Sequence, residues 1–572
     1  MSRTAYVDTF ARDNLPPPED WPDFRYDLPE FRFPDQVNCA DVLLDERVRM
    51  GHGGRTAILA PDGRSTYLQL LHQANRIARV LVEDMGLIPG NRVLIPAHNS
   101  PMMAACMLAT WKAGGITVPT IALLRAGELA HVIDKARVTH ALCDRRLAME
   151  VEGARARSPT LAQVRYFFDD GPESLEHLAD AKSHEFENVA TAADDVGLIA
   201  FTSGTSGVPK GVMHSHRALL AICQGFPKHV VRHTQDDVVA GTPSIAFTYG
   251  LAGVFMVPLR YGGATVLIER YSPESLLETI ARFRVTVLYT VPVMYRAMAA
   301  IASNYDLSSL RTCVSAGEHL PTATRAAWER ATAVKIIDGI GSTEMGQIFI
   351  AAAGADIRPG ATGKVVPGYE ATVLDPNGRP APVGTIGRLA VRGPTGCRYL
   401  ADERQKTYVQ NGWNVTGDAF HMDADGYFYY EARADDMIVS AGYNIGGPEV
   451  ENVLLAHAAV AECAVIGWPD EERGQIVKAF IMLRLGYQRS AEMVVELQEH
   501  VKRSIAPYKY PRAIEFVDSL PRTHTGKLQR YKMRPAGAQP VIGKRAGKPA
   551  SPSRPAPGRP ARTKAPQEGT RR

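Results

Sequence analysis

The sequence predicts an α/β protein. A large amino-terminal domain of parallel-sheet βαβ subdomains is joined to a β-rich subdomain, and a small α+β carboxy-terminal domain follows. Three observations carry this reading. Helix-period segments alternate with short apolar strand runs from about residue 40 to 190, and again after residue 211, the rhythm of βαβ units. From about 369 to 432 the texture changes to short runs punctuated by Pro376-Asn377-Gly378, Gln410-Asn411-Gly412 and Asp425-Gly426, which are hairpin signals. From about 434 to 534 a further helix and strand pattern forms a unit of roughly one hundred residues, enough to bury its own core. At 572 residues the chain is too long for a single core. The divisions expected are 1–433, 434–534 and a tail over 535–572.

Taken in order, residues 1 to about 40 are rich in proline and aromatics (Leu15-Pro16-Pro17-Pro18, Trp21-Pro22, Phe31 to Pro34) and read as a strap laid over a core. Tyr67 to Ala74 has helical spacing, and Arg92 to Ile95 and Val196 to Phe201 are strand runs. Thr265 to Ile268 and Val285 to Tyr289 are predicted strands around a helix over Pro273 to Phe283, and Ala333 to Ile337 is another strand. In the last unit, Pro448 to His457 and Ala491 to Ile505 are helices, with strands over Ala461 to Gly467 and Lys478 to Leu483.

Composition narrows the class. Apolar residues make up 45% and charged residues 22%, which is ordinary for a globular enzyme and excludes a low-complexity chain. The seven cysteines are scattered without a C-x-x-C pair, so they read as reduced packing residues of a cytoplasmic protein, neither a disulfide frame nor a zinc site. The polar start lacks an apolar signal core, and no apolar run is long enough to predict a membrane span. The formal charge of +4 misleads, because nine Lys or Arg face one acid from Pro535 onward. That tail, rich in Pro, Ala, Gly and Arg, is expected to be disordered. It reads either as an inert extension or as a tether to an anionic surface.

The run Thr202-Ser203-Gly204-Thr205-Ser206-Gly207-Val208-Pro209-Lys210-Gly211 carries the first chemistry. Glycines let backbone N–H groups approach phosphate oxygens, the hydroxyls add donors, and the lysine adds a point charge. The loop is expected at a strand end, where open α/β sheets bind ligands. Its spacing is not that of a Walker loop. Four motifs follow in order: Asp338 to Glu344, Thr416-Gly417-Asp418, Ala432 to Asn444, and Pro521 to Leu528 around Lys527. His214 and His216 read as packing or capping residues before metal ligands.

With these five motifs in order, the chain resembles the adenylate-forming superfamily of acyl- and aryl-CoA synthetases over about residues 40 to 534. Ser440 to Glu449, Asp338 to Met345 and Val7 to Pro16 are most similar to benzoate- and 2-aminobenzoate-CoA ligases. The resemblance implies an ATP-dependent carboxylic acid–CoA ligase working through an acyl-AMP, with ATP, Mg²⁺ and coenzyme A as reaction partners. A carrier-protein loading enzyme and a medium-chain acyl-CoA synthetase are the alternatives. Homodimerisation stays open.

By the same resemblance, the 202–207 loop and Lys210 would cradle the β- and γ-phosphates, Thr343 would donate to the α-phosphate, and Glu344 would help hold Mg²⁺. Asp418 and Arg433 would hold the ribose. Ala316, Gly317 and Glu318, with Asp338 and Gly339, would flank the nucleotide. Lys527 would bridge the substrate carboxylate and the α-phosphate, a task suited to a point-charge ammonium. The small domain would turn about a hinge at Asp435, bringing Gly442 and Tyr443 to a coenzyme A channel. Phe247, Tyr249, Ala316, Ile340 and Gly341 are the candidate acid-pocket liners, with the aromatics suited to a flat acid. For Phe247 and Tyr249, an ordinary core role stands beside that one.

Overall fold

The structure, a computed structural model, describes residues 4–202, 209–434, 436–440, 443–470, 473–523 and 527–535. Two α/β sheets form the body. The first has six strands in the order Gln163–Phe167, His140–Asp144, Arg92–Ala97, Ile116–Ile121, Val196–Thr202, Lys210–Ser215. All its neighbours run parallel except the last pair. The second has nine strands. Its centre, from Ile336–Gly341 through Thr312–Ser315, Val287–Thr290, Val238–Gly241 and Ala264–Val266 to Thr56–Ala60, is parallel, with antiparallel strands at both edges. This is the mostly parallel architecture expected from the βαβ rhythm.

Helices follow their local signals. Tyr67–Arg79 opens with a reciprocal cap: Thr66 Oγ1 accepts from the Gln69 N–H, and Gln69 Oε1 accepts from the Thr66 N–H. Its face of Leu70, Ala74 and Ile77 is buried. Pro101–Lys112, capped by Ser100, is apolar all round and buried from Met102 to Lys112. Two strand starts come later than the sequence predicts. Arg284 and Ala333 adopt left-handed φ values of 54° and 59°, each closing the preceding helix. The strands therefore begin at Val287 and Ile336.

The β-rich region is a five-stranded antiparallel sheet built on Glu370–Leu374, Gly387–Arg392 and Trp413–Met422. At its Asn411-Gly412 turn both residues have positive φ, 51° and 78°, the geometry a tight hairpin demands. The amino-terminal strap lies across this region: the Arg25 N–H donates to Gly393 O, and the Asp23 N–H to Gly412 O. Phe31 is fully buried, its ring filling the space that glycine leaves at 368.

Beyond residue 437 the chain forms a smaller unit. Strands Val460–Asp470, Gly474–Leu483 and Ala513–Phe516 make a three-stranded sheet covered by helices Gly447–Leu455 and Ala491–Ser504. Ile445, Val450, Leu454, Val465, Ile481, Leu497 and Val501 form an apolar cluster of its own. All seven cysteines are buried free thiols.

Candidate active site

The phosphate-loop motif joins two antiparallel strands, and Thr202 and Lys210 face each other across them. Ser203, Gly204, Thr205, Ser206 and Gly207 lie outside the described residues. Thr202 Oγ1 is buried with no hydrogen-bond partner among the described residues. Beside Lys210 runs the segment Cys397 to Leu400, sewn to the strand by Met213 N–H to Arg398 O and Leu400 N–H to Gly211 O, each 2.8 Å. This places Tyr399 over Lys210. The Lys210 ammonium donates to the Tyr399 hydroxyl at 2.7 Å, and that hydroxyl donates to Glu344 at 2.5 Å. Lys210 Nζ lies 3.9 Å from the same carboxylate. Sequence reasoning missed Tyr399, because an aromatic between Arg398 and Leu400 looks like core.

Glu344 and Thr343 sit in the turn after strand Ile336–Gly341. Buried His214 donates through Nε2 to the Thr343 carbonyl at 2.8 Å, and burial pushes its pKa down to about 4, so it is a neutral donor there. His216 is also buried, and its Nδ1 accepts from the Cys39 N–H. Both histidines are packing residues, and His214 fixes the backbone that carries Thr343.

Asp338 and Gly339 lie within the strand. A Cβ at 339 would stand 2.7 Å from Ile348, and one at 341 would stand 2.6 Å from the Gln347 carbonyl. Crowding by the neighbouring strand, not room for a ligand, demands glycine at 341. Burial raises the Asp338 pKa to about 7, opposed by the Arg325 charge and the Gly339 N–H. A carboxyl raised from its unfolded value contributes its stability below about pH 4 and loses it as pH rises through 7. Asp338→Asn is therefore expected to melt closer to, or above, wild type at pH 8 than at pH 5, by on the order of a few kcal/mol across that window. Melting curves across pH check this; a pH-independent difference would refute it.

Asp418 and Arg433 are cross-strand partners, joined at 3.0 Å. Gly417 between Thr416 and Asp418 has φ +78°, and a Cβ there would meet the Arg433 guanidinium at 2.9 Å. Gly317 also has positive φ (+89°); the nearest atom to a Cβ there would be Lys527 Cε, at 3.9 Å. The Lys527 turn is closed by Thr523 N–H to Lys527 O at 2.7 Å and Lys527 N–H to Thr523 Oγ1 at 3.0 Å. Lys527 is thus held at the large unit's Gly317, with its outer surface still open to solvent. Loss of water around the ammonium lowers its pKa, helped by the Arg433 charge, while the charges of Glu318, Asp418 and Glu344 pull it back up. Burial likewise raises the Glu318 carboxyl, with Arg522 at 3.7 Å.

The two units meet through charged and neutral polar contacts. Arg296 donates to Glu462 at 2.8 Å and to the Ala461 carbonyl at 3.1 Å, and Arg522 reaches Glu462 at 2.9 Å. Asn452 and His319 are joined at 3.0 Å. Asp435 and Gly442 lie outside the described residues. Tyr443 is exposed and stacks on Tyr508, ring centroids 4.5 Å apart.

Of the acid-pocket candidates, Tyr249 has its hydroxyl committed to the Thr290 and Val314 carbonyls, each at 3.2 Å, and its ring meets Tyr289 edge-on. Its polar tip serves the fold. Phe247 is half-buried just before the helix that begins at Thr248, Ala316 is buried, and Ile340 is half-buried. Gly250 lets the chain approach the Ser244 carbonyl, where a Cβ would stand at 2.2 Å.

Comparison with known proteins places this geometry. The family profile described as AMP-binding enzyme matches residues 44–399, and the AMP-binding enzyme C-terminal domain matches 449–527. The chain is 34% identical to the benzoate–CoA ligase of Thauera aromatica, covering 89% of this chain and 98% of that one. It is 31% identical to mouse (Mus musculus) mitochondrial acyl-coenzyme A synthetase ACSM3, covering 90% and 92%. Among solved structures, the anthranilate CoA ligase AuaEII in complex with anthranoyl-AMP superposes with a TM-score of 0.84 at 34% identity, covering 88% and 98%. With these matches over nine-tenths of its length, the chain belongs to the family of AMP-binding enzymes, and it is an acid–thiol ligase.

Proposed function

We propose that the protein joins an aromatic carboxylic acid, of the benzoate or 2-aminobenzoate type, to coenzyme A. The observation that carries this is that Lys527, from the small unit, lies beside Gly317 of the large one, within the field of Asp418 and Glu344. In the first step, a carboxylate oxygen attacks the α-phosphorus of ATP and the bond to the β-phosphate bridging oxygen breaks, releasing pyrophosphate. Two anions must meet, so the protein's work is positioning and charge neutralisation. Lys527 holds the carboxylate against the α-phosphate, Thr343 donates to the latter, and Asp418 with Arg433 fixes the ribose. Lys210 leaves Tyr399 to pair with the departing phosphates.

The orphaned Thr202 hydroxyl, one ammonium and one carboxylate are a donor set that fits a triphosphate with its metal. Mg²⁺, held by Glu344 together with phosphate oxygens, would neutralise charge on the leaving pyrophosphate. In the second step the coenzyme A sulfur, its proton lost, attacks the acyl carbonyl carbon and AMP departs. Rotation of the small unit about Asp435 would open the path beside Gly442 and Tyr443 for that thiol.

The aromatic preference is supported by the half-buried Phe247 and by the names of the benzoate and anthranilate relatives. Incubation with ATP, Mg²⁺ and coenzyme A across benzoate, 2-aminobenzoate, hydroxybenzoates, phenylacetate and medium-chain fatty acids tests it. An aryl thioester with AMP release is the expected product. Preference for the fatty acids would overturn the aromatic assignment. Pyrophosphate exchange without any thioester would move the acceptor to a carrier protein.

A further inference from the structure

Beneath the amino-terminal strap lies a cavity of about 400 Å³, lined among others by Trp21, Phe24, Tyr26, Arg217, Asp194 and Arg398. Its volume is at the small end of ligand pockets. Arg398 is 5% exposed, and its guanidinium carbon lies 5.4 Å from the Trp21 ring centroid and 5.5 Å from that of Phe24. Its Nε is buried without a hydrogen-bond partner, and the guanidinium forms no hydrogen bond or ion pair among the described residues. The carboxylate bordering the cavity, Asp194, is already held by Arg217 through contacts of 3.0 and 3.3 Å. The cavity therefore sets two guanidinium groups against one carboxylate, a net positive charge that the field of Asp194 only partly offsets.

A buried charge without a counter-ion is costly, and native proteins pair such groups with a carboxylate or a ligand. We propose that this cavity is a second anion site, taking a small aromatic carboxylate. The guanidinium fork matches a carboxylate in bidentate fashion. Three of the walls are aromatic: Phe24 and Tyr26 lie nearly parallel at 6.3 Å, and Trp21 stands edge-on to Phe24. Such walls accept a flat ring. A phosphate dianion would find one guanidinium not already committed to a carboxylate, opposite three aromatic rings, where it needs several donors.

The site is distinct from the adenylation centre yet adjacent to it in sequence. Arg398 turns to the strap, whereas the next side chain, Tyr399, reaches Lys210 and Glu344. The inference rests on this cavity and does not presuppose which acid is activated.

The test pairs crystals of the full chain soaked in 4-bromobenzoate with equilibrium dialysis of labelled benzoate against wild type and Arg398→Gln. The expected result is a bromine anomalous peak within the cavity that Arg398 borders, together with solution binding that weakens about tenfold or more in R398Q, the scale for losing a charged hydrogen-bond partner. The soak needs no variant, so a misfolded R398Q leaves the question answerable. Bromine density confined to the adenylation centre overturns the proposal. So do equal benzoate binding by a folded R398Q, binding at crystal concentration only, and occupation of Arg398 by inorganic phosphate with 4-bromobenzoate excluded.

Discussion

Lys527→Ala is expected to lower acid-dependent pyrophosphate exchange by at least ~10²-fold, the scale for removing one preorganised charge donor. Thioester formation from supplied acyl-AMP is expected to survive. The asymmetry follows from where the lysine sits. Its turn belongs to the small unit, but its Cε lies 3.9 Å from where a Cβ on Gly317 would stand, and it shares the field of Glu318 and Asp418. In the proposed mechanism only the carboxylate–phosphate encounter needs that ammonium; attack of a thiol on an acyl carbonyl does not. Lys527→Arg is not expected to rescue, because a planar fork replaces the compact point charge that would bridge two oxyanions. Equal losses in both half-reactions would sink the account of one unit alternating between two tasks.

Asp45→Ala is expected to destabilise the fold by about 3–5 kcal/mol, the cost of leaving one member of a buried ion pair alone. Lys112, at the end of an otherwise apolar helix, has no exposed side-chain surface, and both Asp45 oxygens accept from its ammonium at 2.6 Å. Asn188 adds a donor to Asp45 at 3.2 Å. Burial already lowers the Lys112 pKa, and the Asp45 charge opposes that shift. Without Asp45 the folded state would favour neutral lysine still more. A base depressed on folding costs stability at low pH and stops costing it above its unfolded pKa. Denaturant midpoints should therefore show a penalty that is full near pH 6 and shrinks towards alkaline pH. A penalty under 1 kcal/mol at pH 6 would mean that water reaches Lys112.

Much of this site is written in residues with few other uses. A run of glycines and hydroxyls ending in Lys210 has a narrow range of chemical meanings, and Asn411-Gly412 names its own turn. The supporting residues are less legible. His214 and Tyr399 act by holding Thr343 and Lys210, and a buried histidine or tyrosine in an apolar run carries no mark of that duty. Tyr249 shows another limit: its motif allows both a pocket wall and a core role, and only the structure shows that its hydroxyl serves two strand carbonyls. The late strand starts depend on Arg284 and Ala333 taking left-handed backbone angles, which L residues seldom adopt and sequence does not announce. Arg398 was invisible for the simplest reason: an unpaired charge is recognisable only once its surroundings are known.

Glu462 is engaged by Arg296 of the large unit and Arg522 of the small one, and all three side chains are 23–29% exposed. Pairs of this kind are worth about 1 kcal/mol or less each and are screened by salt. A seam fastened by oil would hold its contents shut, whereas one fastened by wetted charge is a clasp that undoes itself. If the small unit turns as proposed, it can part from the large one without first unfolding anything, and added salt is expected to shorten the time the clasp stays closed.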